Sequence, residues 1–548
     1  MPAMPETAVA PTRLRAVLLA GALFTFFFAA YAFTMSADLN NNGDTNIRIA
    51  IAENLLQGHV DLKGWTMQFP LHIKKEFYDS RLWWCTNGVD VCSTYLLGQP
   101  LAIIPIDLAG SAITRHERWP LGPGVTTFDH LVGPLFGSLE AVVFFLFAVA
   151  LGYGRRRSLV LTLIFAFATS VWPDEQSVLE HTEVAFFVLL GVYLAYQARH
   201  GGRGRLMAIL AGAALGGAAM TRYQDAAVGV LGVAIYLLWP GMGWRRLGYL
   251  SLVGIGLLPF IGLDLWWDWV RFGSPLATGH HETLLGYAAW LGAPGLWVSP
   301  GKGLLWYSPT IFLMAPAAVP FARRFPSLAA SFVAMVLAFT AFYSIITFWH
   351  GDPAWGPRYM YPVLPYVTLP LGVLFTRRWR FPAMVWLLTA IFVLAGLTVQ
   401  LAAVTVSEWR GWYRVIQYEQ NQGHPWLWIA SRYRYFWNVH ESPLNFQLRS
   451  LYQLTYDSVF HSSRYVIAPP AEEKVLDDLA NNYAINQWNI WWASNEYNWW
   501  MGEQKVILGV ILLLSLMLAG GTYIGAELGG LFEQPAIQVG AEPLPEAA

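Results

Sequence analysis

Asp44 and Arg48 stand four residues apart in NNNGDTNIRIAIAENLLQG, residues 40–58. On a helix, that spacing lets a carboxylate and a guanidinium meet. Two more cations lie far downstream, Lys302 in SPGKGLLWYSP and Arg358 in WHGDPAWGPRYMYPVLP. Both types neutralise phosphate, and Arg does so bidentately. A carboxylate can take the proton from an incoming hydroxyl or amine. Together they suit transfer from a phosphate-linked donor. Other polar groups recur in short runs. WPDEQSVLEHTE holds Asp174, Glu175, Glu180, His181 and Glu183; MTRYQD holds Arg222, Tyr223 and Asp225; HHETLLGY holds His280, His281 and Glu282. His350, Asp352 and Tyr359 flank Arg358. Plainer roles exist for each. Asp44 precedes a helical stripe (Ile47, Ile51, Leu55) and could simply cap it. The cations could make salt bridges or headgroup contacts, and Arg222 could hold Asp225 or Glu175.

The elements that must position these groups are membrane spans. Of the 548 residues, 55% are hydrophobic and 13% charged, against about 25% charged in soluble chains. The apolar residues fall in repeated blocks, so the chain reads as an all-α polytopic membrane protein. About twelve spans are expected: 16–34, 131–151, 158–172, 182–198, 206–220, 226–239, 247–264, 303–322, 326–348, 360–376, 381–405 and 506–526. Several are short of the roughly 20 residues that an upright helix needs, so their ends are expected to extend into the loops, with broken helices as the other reading for some. The clusters Arg13/Arg15, 155–157, 199–205, Arg245/Arg246, Arg323/Arg324 and 377–380 then all face the cytoplasm, with the N-terminus. This requires that 96–113, which carries Pro100, Pro105 and Asp107, does not cross. The first span reads as a retained anchor rather than a cleaved signal.

The outer face receives 35–130, 265–302, 349–359 and 406–505. A membrane module over 1–405, an external segment or small domain over 406–505, a last span and a cytoplasmic tail (527–548) follow. Cys85 and Cys92 lie in the first external loop, where an oxidising exterior favours their pairing and two free thiols are the alternative. The segment 406–505 holds ten of the 27 tryptophans. NQWNIWWASNEYNWW, just before the last span, reads as an interfacial aromatic belt, with stacking on a sugar or lipid headgroup as the other reading.

Several classes are excluded. The net charge of -1, from 34 basic and 35 acidic residues, offers nothing to nucleic acid. SPGKG is no Walker loop, because Gly295 is one residue too far from Gly301 and Gly303 stands where Ser or Thr is required. HHET lacks the His-Glu-x-x-His spacing of a zinc helix. No cofactor is expected, and a divalent metal stays compatible with the sequence.

GDTNIRIAIAENLLQG after span one, DWVRFGSPLATGH at 268–280, SPGKGLLWYSP and WGPRYMYPVLP resemble segments of the GT-C superfamily of membrane glycosyltransferases. More narrowly, the chain resembles bacterial relatives of protein O-mannosyltransferases and of the aminoarabinose transferase that modifies lipid A, over about 14–405. The resemblance implies a GT-C-like fold, a polyprenyl-phosphate-linked sugar donor, and transfer on the non-cytoplasmic face of the inner (plasma) membrane. The acceptor would be an envelope glycan, lipid or protein. It also implies an acid in the first external loop, matched best by Asp44 and then Asp38, with Glu175 or Asp174 as a second acid.

The chemistry expected is a single inverting displacement at the anomeric carbon. Asp44 acts as base, and Lys302, Arg358 and Arg222 hold the leaving lipid phosphate. Arg48, His281 and Tyr359 are candidates for substrate contact. The rival reading is a transporter or lipid flippase, which twelve spans and intramembrane polar groups also suit, although the two halves show no similarity. A non-catalytic partner on a transferase scaffold is a third.

Overall fold

The computed structural model describes residues 10–37, 43–62, 82–114, 128–176, 179–240, 245–279, 285–351, 354–411, 413, 433–465, 487–493 and 503–530. Helix α1 (Ala10–Phe33) leads to α2 (Gly43–Leu56), a hairpin of β1 (Leu82–Trp84) and β2 (Val91–Ser93), and α3 (Gly98–Thr114). There follow α4 (Val132–Ala150), α5 (Arg155–Phe167), α6 (Glu180–His200), α7 (Gly204–Thr221), α8 (Tyr223–Leu238) and α9 (Arg245–Phe272). Then come α10 (Pro326–Ser344), α11 (Pro382–Thr405), α12 (Pro443–Phe460) and α13 (Glu503–Gly529), with shorter turns between. Among the described residues, the fold is all-α apart from that hairpin.

Among the described residues, eight helical runs are long and apolar enough to cross a bilayer. All twelve expected spans are helical, but four miss that standard for physical reasons. Two are short: α5 has 13 residues and α8 has 16. α6 is long enough but carries Glu180, Glu183 and Arg199. The span expected at 303–322 is broken into Leu304–Tyr307, Pro309–Leu313 and Met314–Arg324. Prolines interrupt it, since each removes a backbone donor and clashes with the preceding turn. The run Arg358–Thr376 is broken likewise, at Pro362, Pro365 and Pro370.

Small residues set the closest helix contacts. α7 lies against both α6 and α9. A Cβ on Gly212 would drive into the Val253 carbonyl, and one on Gly256 into the Ile209 carbonyl. Close backbone approach is how helices gain dispersion energy in lipid, where apolar burial supplies no drive. Gly254, by contrast, has open space around it. Gly256→Val should therefore lower stability by at least about 1–3 kcal/mol, while Gly254→Val should change it little. Thermal unfolding of both variants in detergent checks this.

The first and last helices pack together along their length. At one end, Glu527 of α13 pairs with Arg15 at 2.8 Å and Arg155 at 3.8 Å. Its backbone carbonyl also accepts from Arg156 at 3.4 Å. At the other end, the Trp491 and Trp492 indoles donate to the Ala32 and Phe33 carbonyls, both at 2.9 Å. These are terminal carbonyls that a helix cannot satisfy by itself. The two tryptophans are thus a helix cap, rather than only the aromatic belt expected of them. Trp499 and Trp500 lie outside the described residues.

Cys85 and Cys92 are bonded, closing the hairpin. A loop this short yields about 2–3 kcal/mol in the chain-entropy account. Cys92→Ser should lower the unfolding temperature accordingly, and reductant should add nothing further in that variant.

Candidate active site

Asp44 lies in the first turn of α2. Tyr95, just beyond the hairpin, hydrogen-bonds to its carboxylate. Burial opposes ionisation there, but Arg48, Arg358 and the Tyr95 bond outweigh it, and the carboxyl sits below the usual 3.8. Arg48 packs over the Tyr95 ring, 4.1 Å from its centroid, and its Nη2 pairs with Glu180 Oε2 at 2.8 Å. So Arg48 serves two acids, one on its own helix and one at the start of α6.

Glu180 is the node of this wall. Its other oxygen takes Arg222 Nη1 at 3.0 Å. Arg222 also reaches His181 Nδ1 (3.1 Å), Tyr343 Oη (2.9 Å) and Asp225 Oδ2 (3.3 Å). Burial works against the Glu180 charge, yet the guanidinium groups of Arg48, Arg222 and Arg358 together hold it far below the ordinary range. Burial and then Arg222 keep His181 neutral. Tyr359 stacks on Tyr343 at 4.8 Å, and both Arg222 and Arg358 lie over its ring at 5.5 and 5.2 Å.

Arg358 opens the turn Arg358–Val363. Gly351, at φ +70°, passes so close that a Cβ would meet Arg358 Cγ at 2.8 Å. Only glycine makes that approach without strain. Lys302 is buried and donates to the Ala354 carbonyl. Burial, then Lys302 and Arg358, bring His350 down to about 3, so it is neutral at physiological pH. Burial and Glu408 raise Asp174, against the pull of Arg358 and Lys302. The structure therefore brings Asp44, Arg48, Glu180, Arg222, Arg358, Lys302 and Asp174 into one electrostatic network.

Glu175 faces elsewhere. Tyr361 Oη is 2.6 Å from Glu175 Oε1 and 2.8 Å from Glu140 Oε2. A Cβ on Gly137 would collide with the Glu175 carboxyl, so that glycine is its cradle. Of the two neighbouring acids, Asp174 faces the cations and Glu175 faces the core. The turn that separates them is one helical step in Val171–Asp174. Asp38, His280, His281, Glu282 and Asp352 lie outside the described residues.

Sequence reasoning passed over Tyr95, Tyr343, Tyr361, Glu140 and Glu408. Tyr361 is readable in hindsight, because it lies three residues after Arg358 on a helical turn. Tyr95 carries no local signal, since it meets Asp44 only through the hairpin. Among the described residues, no group of three or more His, Cys, Asp or Glu is placed to hold a metal ion.

Residues 123–272 match the family model for dolichyl-phosphate-mannose-protein mannosyltransferase. The expected resemblance to membrane mannosyltransferases holds over that stretch, which includes Asp174, Glu180 and Arg222. No curated protein matches the chain. Among solved structures, the chain is similar to ArnT from Cupriavidus metallidurans in the apo state. There the identity is 15% and the TM-score 0.47, over 96% of this chain and 79% of that one. The same protein bound to undecaprenyl phosphate gives 13% identity and a TM-score of 0.45, over 95% and 79%. The Archaeoglobus fulgidus oligosaccharyltransferase in the apo form gives 12% and 0.42, over 88% of this chain and 64% of that one.

Proposed function

We propose that this chain is a membrane glycosyltransferase of GT-C type. It moves a sugar from a polyprenyl-phosphate-linked donor to an envelope acceptor on the non-cytoplasmic face of the inner membrane. The observation that carries this is Asp44, kept ionised in a buried wall by Arg48 and Arg358. The match of 123–272 to the mannosyltransferase family supports the class.

In this reading the acceptor oxygen attacks the anomeric carbon as the carbon–oxygen bond to the phosphate breaks. The bonding pair leaves with the phosphate oxygen. Arg358 and Lys302 stabilise that charge where it develops, and Asp44 receives the acceptor's proton. Arg222, engaged with Glu180 and Asp225, acts by holding Tyr343 and Tyr359 in place. Asp174 is the second acid in place of Glu175. Asp38 and His281 keep their expected roles as proposals, and no metal is assigned to the step.

We read twelve crossings with the N-terminus cytoplasmic. What supports an even number of crossings is Glu527, which meets Arg15 at the start of α1 and Arg155 at the start of α5; the arginines clustered on that face favour the cytoplasm. An even number of crossings must separate two groups on one face. Here α1 and α4 supply two, and a crossing by α3 would make three.

The test is sugar transfer by the purified protein in liposomes, with a panel of radiolabelled polyprenyl-phosphate sugars, an envelope extract, and parallel reactions with and without chelator. Label passing to an envelope component supports the reading. Transbilayer movement of the donor with no transfer would instead make the protein a flippase.

A further inference from the structure

Two buried acids stand outside the proposed mechanism. Glu140, on α4, and Glu175, just past the turn Val171–Asp174, have no exposed surface. Both meet the Tyr361 hydroxyl, Glu140 at 2.8 Å and Glu175 at 2.6 Å. Among the described residues, neither acid has a Lys or Arg partner.

Counting protons decides how the trio is wired. A tyrosine hydroxyl has one hydrogen to donate, and an ionised carboxylate has none. Two carboxylates cannot both be served by that hydrogen. With one carboxyl proton present, each contact becomes a hydrogen bond. The neutral acid donates to Tyr361 Oη, and the Tyr361 hydroxyl donates to the other acid. The same proton keeps two like charges from sharing a site sealed from solvent.

The place of Tyr361 gives this link a use. Arg358–Val363 is a 3₁₀ turn, in which side chains three residues apart lie along one edge. Arg358 and Tyr361 are such a pair. The backbone holds the turn weakly, because 3₁₀ hydrogen bonds are poorly aligned and Pro362 offers no N–H. A side chain pinned from outside therefore sets the rotation of the edge that carries Arg358. The two posts are themselves fixed. Glu140 is part of α4, and Gly137 on the same helix leaves the room that Glu175 enters. The residues around Glu175 are tied on both sides. The Ser170 amide donates to the Ser308 hydroxyl at 3.0 Å, and Gln176 donates to the Val404 carbonyl at 2.9 Å.

Resting on the transferase reading, in which Arg358 stabilises the leaving phosphate, we propose that Tyr361, Glu140 and Glu175 are positioning residues that set Arg358 through one shared carboxyl proton.

The experiment measures sugar transfer by the full-length protein in liposomes, with thermal unfolding to confirm that each variant is folded. Tyr361→Phe keeps the ring and loses the hydroxyl. It is expected to lower kcat about ten- to a hundredfold, the loss that a small displacement far from the chemistry can bring. The same change in an Arg358→Ala background lowers kcat no further, because the effect runs through Arg358. An equal loss in both backgrounds, or none in the first, would overturn the proposal. Glu140→Gln keeps a donor and an acceptor without a charge, so it retains most of the kcat that Glu140→Leu loses. Equal losses in those two variants would make Glu140 a required charge and sink the shared proton. Infrared spectra supply a readout that needs no turnover. At neutral pH, the C=O band of neutral carboxylic acid is expected to lose intensity in the Glu140→Gln, Glu175→Gln double variant. An unchanged band rules the shared proton out and, with transfer intact, leaves the transferase reading standing. Transfer absent from every lipid-linked donor removes that reading and the role of Arg358 with it, while a lost band would still establish the proton link.

Discussion

Asp44→Asn lowers the rate of sugar transfer by roughly 10²- to 10⁴-fold, the span that a positioned acid–base group contributes, while donor binding stays within a few-fold. The substitution is chosen to change little else. Asn keeps an oxygen for the Tyr95 hydroxyl. What it loses is the charge and the capacity to take a proton. The plainer role for Asp44, that of a first-turn carboxylate beside Arg48 and Tyr95, predicts nearly unchanged turnover. Measured side by side in liposomes at matched protein levels, transfer and thermal unfolding separate the two roles. Full transfer in Asp44→Asn would remove that carboxylate from the chemistry.

Arg358→Ala costs about 10²- to 10³-fold in turnover, the usual loss when a donor aimed at developing charge is removed. Arg358→Lys recovers part of it, because an ammonium supplies charge without the planar fork. The substitution has a second signature. Arg358 is one of the cations that keep Asp44 below its usual range. Its positive charge favours the carboxylate, so its loss raises that group. The base must be ionised to work, so the acid side of the rate profile moves to higher pH in Arg358→Ala. A profile that falls uniformly, with no displacement of that limb, would show that Arg358 and Asp44 are not coupled in the working enzyme.

The helices were legible and their breaks were only partly so. Apolar blocks bounded by arginines place α4, α7, α10, α11 and α13 within a few residues, because composition decides what lipid accepts, while α1 begins before the expected 16–34 and α9 runs on past the expected 247–264 to Phe272. The broken runs at 303–322 and 358–376 follow from proline positions, yet their turn-by-turn form depends on neighbouring helices. The site was legible as a set of types. Asp44, Lys302 and Arg358 could be named from chemistry and spacing. Which of Asp174 and Glu175 faces the cations could not, because adjacent residues on a helical turn diverge by about a quarter of a revolution. Trp491 and Trp492 misled in a similar way. Their composition points to a membrane interface, while their indole protons serve the end of a helix more than 450 residues away.

That clasp between α1 and α13 also governs biogenesis. The first helix enters the membrane early, but the indoles that meet its Ala32 and Phe33 carbonyls and the carboxylate that pairs with its Arg15 come from residues 491–527. Until the ribosome has made these, the bundle stands open along the seam that α13 fills beside α1. Contacts so distant in sequence close late. The nascent protein therefore depends on the insertion machinery through most of its synthesis, and a chain stopped short of α13 would be a substrate for membrane proteases.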